Sequence, residues 1–370
     1  MDTDVVVVGA GVMGLATACE LQRMGADVVV FEQFGVGTRR GSSHGASRVF
    51  RLVYDDADYV RLAQRTLPMW RECEARTGRT PLRTTGMIES VRDATQLGLL
   101  GELHVPYEVL ASDEASSRFP GVRLPGEVLY QSDAGVISAE ETVAALREPL
   151  ADAVREAVRV VGISESTTSV TVATDDGEVS AEAAVLCCGA YAPELLRGVG
   201  VHLPVVPTRE QIAYFAPIAG SLEGVPIIND PGGDPHVYGL PTHALGAYKL
   251  AEHGTGPVID PRTDDLAPDP AVTARLTEHA RKYLPGFEPT PVDVEVCMYE
   301  NTPDRDFVID RVGRVVVGAG FSGHGFKFAP LIGPVLAELA VGREPEFPRG
   351  RFALDRVALK ADGFEPGPAR

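Results

Sequence analysis

Residues 4–32 constrain this chain more than any other stretch. Val5-Val6-Val7-Val8 is a continuous β-branched run, the pattern of a strand buried on both faces. Gly9-Ala10-Gly11-Val12-Met13-Gly14 follows at once. Ala16, Ala18 and Leu21 then supply a small-residue helix face, and Gly25 ends that helix. Asp27-Val28-Val29-Val30-Phe31 is a second strand, closed by Glu32. The result is a βαβ unit of about thirty residues with an acid at its end. Gly9 permits the tight turn, Gly11 lets the backbone approach a pyrophosphate, and Gly14 lets helix and strand pack closely. The pyrophosphate would meet the amide groups and positive dipole end of the helix. Glu32 would accept hydrogen bonds from the ribose hydroxyls, and its charge disfavours NADP. Such a unit binds a dinucleotide; the other reading is a glycine turn in some different α/β protein.

The rest of the chain bears on which dinucleotide. Arg314 to Gly318 is a third buried β-branched strand. It runs into Gly318-Ala319-Gly320-Phe321-Ser322-Gly323-His324-Gly325-Phe326-Lys327, and a helix is expected from about 328 to 341. Glycine-rich strand–helix units at both ends of the chain suit FAD better than NAD, because two separate segments must cover its two halves. Between them, Tyr59 to Thr77 has apolar residues at helical spacing, with Asp58 as the expected N-cap, Pro68 as a kink and Gly78 as the end. Thr84 to Val91 reads as one strand, and Ala139 to Ala157 as a long helix capped by Ser138 and kinked or split at Pro149. Short alternating strands follow over 158–174, then a buried strand from Ala183 to Cys188. The pattern over 204–253 suggests an antiparallel sheet, Ala271 to Tyr283 a helix, and Val292 to Tyr299 a strand. The tail from Ala361 reads as frayed.

The fold expected is α/β: a discontinuous Rossmann-type FAD-binding domain (1–83, 145–207 and 305–370) with an inserted α+β substrate domain on an antiparallel sheet (84–144 and 208–304). The 370 residues can bury a large core without staples. The net charge of −18 argues against nucleic acid and anionic membrane surfaces as partners. Five cysteines without C-x-x-C spacing read as reduced, and no zinc-like spacing appears. The start of the chain lacks a basic region, and no apolar run is long enough to span a bilayer, so a cytoplasmic protein is expected.

Chemistry concentrates at a few positions. Lysine is scarce: Lys249, Lys282, Lys327 and Lys360 stand among 34 basic residues. Where arginine is the default cation, a lysine offers a compact, titratable charge. Lys327 follows the glycine cluster at a helix N-terminus, where it can anchor a carboxylate or lie on the surface. Lys249 lies in an alternating strand, and could equally face solvent. In Ser43-His44-Gly45-Ala46-Ser47-Arg48-Val49-Phe50-Arg51, a strand after Gly45 would bring Arg48 and Arg51 to one cleft. Either they bind a carboxylate there or they pair with acids such as Asp55 and Asp56. Cys297, within Val296-Cys297-Met298-Tyr299, reads as a small buried hydrophobe. Gly41-Ser42-Ser43-His44-Gly45 matches G-x-S-x-G formally, but lacks the strand before and helix after that a nucleophile elbow needs.

Together these motifs resemble the D-amino-acid-oxidase superfamily of flavin-dependent amine oxidases, and within it the monomeric sarcosine oxidase and N-methyltryptophan oxidase group. The resemblance rests on the N-terminal unit with Glu32, the segment from Gly41 through Arg51, Cys297-Met298-Tyr299 with Thr302-Pro303-Asp304, and Gly320 through Lys327. It implies FAD held by Gly9, Gly11, Gly14, Glu32, Gly320, Gly323 and Gly325, and joined to Cys297 as a thioether. It implies Arg51 and Lys327 as the carboxylate pair, and Lys249 as the lysine assisting oxygen. It implies His44 and Arg48 near the flavin ring, and Tyr238 and His253 in the active site. The chain departs from the group at Ala251-Glu252, at Glu300 and at His243, and acids near the entrance would favour a substrate with a positive group.

The activity implied is oxidation of a secondary N-methyl amino acid such as sarcosine to an imine, with hydrogen peroxide formed from oxygen. The alternatives are oxidation of a cyclic imino acid or a sugar-modified amino acid, dehydrogenation with another electron acceptor, or a non-catalytic dinucleotide-binding module. A monomer that binds an amino acid and oxygen is expected.

Overall fold

The computed structural model describes residues 2–230, 233–360, 364 and 366. The reading of a frayed tail from Ala361 therefore falls almost wholly outside the described residues.

The first unit forms as its sequence dictates. Strand Thr3–Val8, helix Val12–Arg23 and strand Val28–Glu32 follow one another, and the two strands pair in parallel. Val5 to Val8 are each at most 5% exposed. Full burial of one such side chain contributes roughly 1.5–3 kcal/mol. A Cβ on Gly14 would stand 1.9 Å from the Gly9 carbonyl oxygen, so only glycine lets this helix begin so close to its strand.

Strand Gly177–Leu186 lies beside Thr3–Val8 in parallel, and strand Val315–Ala319 beside Gly177–Leu186 in parallel. The two glycine-rich ends of the chain thus meet in one eight-stranded sheet. Helix Ala329–Ala340 packs on the first helix, and a Cβ on Gly333 would stand 2.7 Å from the Ala16 Cβ. A second eight-stranded sheet is mainly antiparallel and includes Val206–Phe215, Val237–Thr242, Ala247–Glu252 and Asp293–Asn301. Strand Ile227–Asp230 pairs in parallel with Met87–Ser90, the exception in that sheet. A small three-stranded sheet joins Ser47–Phe50, Gly135–Ser138 and Leu82–Thr84. This is the expected architecture: a Rossmann-type sheet with a second layer built on an antiparallel sheet.

Several boundaries differ from the sequence reading. The helix over 57–77 is capped by Asp56, not Asp58: the Asp56 carboxylate accepts from the Asp58 and Tyr59 N–H groups. Pro68 sits inside this helix without ending it, and Gly78 closes it in the left-handed region. The single strand expected over 84–91 is two strands, Leu82–Thr84 and Met87–Ser90, in different sheets. The long helix expected over 139–157 stops at Arg147; a single turn holding Pro149 follows, then strand Val154–Glu156. The Ser138 side chain caps nothing. Strand Val308–Val312 was not anticipated.

Candidate active site

A cavity of about 500 Å³ lies where the two sheets face each other. At one end its wall is the first glycine turn, Glu32 and residues 187–191; at the other it is Arg51, Glu89, Asn229 and His236. Lys249, Cys297 and Tyr299 line it as well.

The cofactor end is built by the Rossmann sheet. Gly9 and Gly11 line the cavity, while Gly14 lies behind them in the packed turn. Gly11 precedes the first helix and offers no side-chain cap; of that turn, the Val12 N–H donates to Ser43 Oγ at 3.0 Å. Glu32 Oε2 accepts from the Ala10 N–H and Oε1 from the Phe34 N–H, both at 3.0 Å. Burial pushes the Glu32 carboxyl up, against those amide bonds. A glycine cradle, an open helix start and an acid at the second strand's end fit a dinucleotide.

From the C-terminal glycine cluster, Gly323, Gly325 and Lys327 line the cavity. Gly320 sits behind the wall, with the Thr302 methyl 2.4 Å from where its Cβ would be. Lys327 is in the single turn Phe326–Phe328 that leads into the last long helix. It is 6% exposed, so the surface reading does not hold. Its Nζ donates to the His324 carbonyl at 2.9 Å, and its own carbonyl accepts from Trp70 Nε1 at 2.8 Å. Burial, with Arg51 nearby, holds its amine well below the usual lysine range.

Strand Ser47–Phe50 forms where the sequence places it, and both Arg48 and Arg51 reach the cavity. The acids suggested for them are partnered elsewhere: Asp55 by Arg92, and Asp56 by Arg351 at 2.6 Å. Arg51 instead donates from Nη1 to Glu89 Oε2 at 2.9 Å and lies over the Tyr54 ring. Arg48 donates to the carbonyls of Ser42, His44 and Ser47 and stacks on Phe326. His44 is not in the wall. Its Nδ1 lies 2.9 Å from the Gly41 carbonyl oxygen and its Nε2 3.1 Å from that of Val296, so it ties the loop to the strand carrying Cys297.

The antiparallel sheet supplies the remaining groups. Lys249 is 4% exposed, so it does not face solvent. Its Nζ donates to the Ser47 carbonyl at 3.3 Å; burial, then Arg48, pulls its pKa down to about 8. Cys297 lines the same cavity, its thiol pushed up by burial against the opposing pull of Lys249 and Arg48. His253 Nδ1 lies 3.1 Å from the Tyr299 hydroxyl, and the His253 ring meets Tyr238 edge-on.

The departures resolve differently from one another. Glu252 does not open into the cavity; it accepts from Arg275, His279 and Thr255, which take its pKa down to about 2 against burial. Glu300 faces the cofactor end, and burial raises its pKa to about 7. His243 lies in a turn outside the wall. Of the two acids, only Glu300 is therefore in the cavity wall. Glu89, Asn229 and His236 were missed. An acid inside the apolar run Met87-Ile88-Glu89 was the available signal, since a buried carboxylate needs donors.

Residues 4–339 match the family described as FAD dependent oxidoreductase. The chain is 34% identical to human peroxisomal sarcosine oxidase over 95% of its own length and 96% of that protein's. It is 32% identical to monomeric sarcosine oxidase of Bacillus sp. (strain B-0618), covering 96% of this chain and 97% of that one. The open form of NikD, an unusual amino acid oxidase essential for nikkomycin biosynthesis, superposes with a TM-score of 0.85 at 30% identity over 95% of this chain and 97% of NikD. With a glycine cradle at one end of the cavity and titratable groups along it, the chain belongs to the FAD dependent oxidoreductase family.

Proposed function

We propose that the protein oxidises a secondary N-methyl amino acid, with sarcosine the smallest example, to an imine, and that oxygen is the final acceptor and hydrogen peroxide the product. The observation that carries this reading is one cavity that joins the dinucleotide cradle to Arg51, Lys327, Lys249 and Cys297. The relatives named sarcosine oxidase support the substrate class.

FAD supplies the two-electron chemistry when bound. Gly9, Gly11 and Glu32 would hold its dinucleotide part, Gly323 and Gly325 would flank it, and Cys297 would tether it. Arg51 has donors beyond the one committed to Glu89, and these serve the substrate carboxylate together with Lys327. Two cations on one carboxylate fix the α-carbon in place, and orientation of this kind removes much of the entropic barrier. Burial depresses the Lys327 amine, and an arriving carboxylate offsets that burial and favours its charged form. Lys249, balanced near pH 8, and Arg48 place positive charge where negative charge develops as oxygen is reduced. His44 positions the Cys297 strand rather than touching substrate.

The test has two parts. Acid precipitation is expected to carry the yellow colour into the pellet, and Cys297→Ser to release it. A peroxide assay over amino acids is expected to respond to N-methyl members first. Peroxide from none of them would end this reading, and reduced enzyme that stays reduced in air would replace oxygen with another acceptor.

A further inference from the structure

Two cations share one acceptor. Lys249 Nζ donates to the Ser47 carbonyl oxygen at 3.3 Å, and Arg48 Nη1 donates to the same oxygen at 2.8 Å. That oxygen can accept both bonds, but like charges held so close oppose one another where water is scarce. Lys249 is 4% exposed, and burial, then Arg48, takes its pKa down to about 8. An anion beside the pair would let both stay charged, and sheet register supplies one. Tyr214 lies directly across from Lys249, and Ile212 directly across from Glu295. Alternate residues of a strand share a face, so Lys249, Tyr214, Glu295 and Cys297 stand on one side of the antiparallel sheet. The Tyr214 hydroxyl donates to Glu295 Oε2 at 2.9 Å, which ties the carboxylate to the strand lying between its own and that of Lys249. The same oxygen and Arg48 Nη1 flank Gly45: a Cβ there would stand 3.6 Å from the one and 3.8 Å from the other. Arg39, an exposed cation, is 3.9 Å from Glu295, and a pair so exposed binds weakly.

We infer that Glu295 is a positioning residue, whose carboxylate is the counterion that lets Lys249 and Arg48 be charged together on the Ser47 carbonyl. The inference deepens the functional reading given above, in which those two cations serve the reduction of oxygen, and rests on it for the catalytic consequence alone. Other groups that face Lys249 do not supply the anion. Its cross-strand neighbours are Leu240 and Tyr214. Burial pushes both the Tyr214 hydroxyl and the Cys297 thiol up, so neither is charged near neutrality, and a thioether at Cys297 has no proton to lose. Glu295 is the acid left to oppose Arg48. It is not in the cavity wall, so it acts through Lys249 and not on a ligand. Its side chain is 16% exposed, and the water it meets keeps its effect moderate.

The chain has four lysines, so protein made with lysine labelled at Cε with carbon-13 gives four signals, and Lys249→Met identifies the one in question. In the parent that signal is expected to titrate with a midpoint near 8. Glu295→Gln, which keeps the shape and removes the charge, is expected to lower the midpoint by about half a pH unit to one pH unit. Glu295→Asp, which keeps the charge, is expected to stay closer to the parent than to Glu295→Gln. A second neutral variant, Glu295→Ser, is expected to repeat the shift, and it decides the question should Glu295→Gln not fold. An unchanged or raised midpoint in the neutral variant overturns the inference, as does an equal shift in Glu295→Asp. Reoxidation is the second readout. When reduced protein is mixed with air-saturated buffer, Glu295→Gln is expected to match the parent at pH 6, where Lys249 is charged in both, and to be severalfold slower at pH 9. Slowing by the same factor at both pH values overturns the inference. If the reduced parent does not reoxidise in air, the oxygen reading has failed on its own, and the carbon-13 midpoints still decide whether Glu295 is the counterion.

Discussion

Glu300 is a carboxyl held where no carboxylate is comfortable. It is 5% exposed, and its Oε2 has no hydrogen-bond partner among the described residues. Burial lifts its pKa from 4.5 to about 7. A group raised on folding stabilises the fold in its protonated form. That contribution is complete below 4.5 and is lost as the pH climbs to about 7. Glu300→Gln removes the loss. Chemical denaturation is expected to find the variant more stable than the parent at pH 8, by up to about 3 kcal/mol, with a much smaller gain at pH 5. Equal gains at both values would refute the assignment. Lys327 carries the opposite sign of charge under the same pressure. A carboxylate that reaches it must raise its pKa, so binding propionate at pH 9 is expected to take up protons. Calorimetry in buffers of different ionisation enthalpy reads that uptake directly, and Lys327→Met is expected to abolish it.

At the scale of elements, the helix over 57–77 starts on Asp56, where the sequence reading placed the cap at Asp58. Asp56 accepts from the N–H groups of Asp58 and Tyr59 and pairs with Arg351 at 2.6 Å. Burial opposes its charge, but Arg351 and the amide bonds win and lower its pKa. Asp58 pairs with Arg351 at 3.3 Å and caps nothing. Asp56→Ala is expected to lower stability by about 1–2 kcal/mol, in the range of a lost N-cap, and Asp58→Ala by clearly less; the reverse order in denaturant melts would show that the ion pairs, not the cap, set this helix. The same case explains what the sequence could disclose. The βαβ unit was legible because valine runs, glycine spacing and Glu32 all constrain the same short stretch. Lys249, Lys327 and Cys297 stood out by rarity or motif. The helix expected through 157 failed because the residues after Pro149 form a strand that exists only by pairing with Val28–Glu32. Glu89, Asn229 and His236 were hidden for the same reason, since they lie on segments that meet only through sheet register.

For the whole molecule, the cavity is the seam. Its wall draws on the first glycine turn, on the loop and strand around Arg51, on the antiparallel sheet and on the glycine cluster before the last helix, so both sheets contribute to it. A ligand that fills it contacts the Rossmann sheet and the antiparallel sheet together and must stabilise them as one body. Cys297→Ser protein, which can form no thioether at that position, can be stripped of flavin and melted with and without added FAD. At a hundred times its dissociation constant, a ligand that binds only the folded state contributes about 2.7 kcal/mol. With an unfolding entropy of roughly 2.1 cal/mol/K per residue over 370 residues, that corresponds to a rise of about 3 °C in the midpoint. NADP is expected to give no rise, because Glu32 ends the second strand with its carboxylate turned back to the glycine turn and would face the 2′-phosphate. A shift with NADP as large as that with FAD would mean that the acid does not govern this end of the cavity. A rise confined to one of two separate melting steps would mean that the sheets do not unfold together, and that the seam is not what holds them as one.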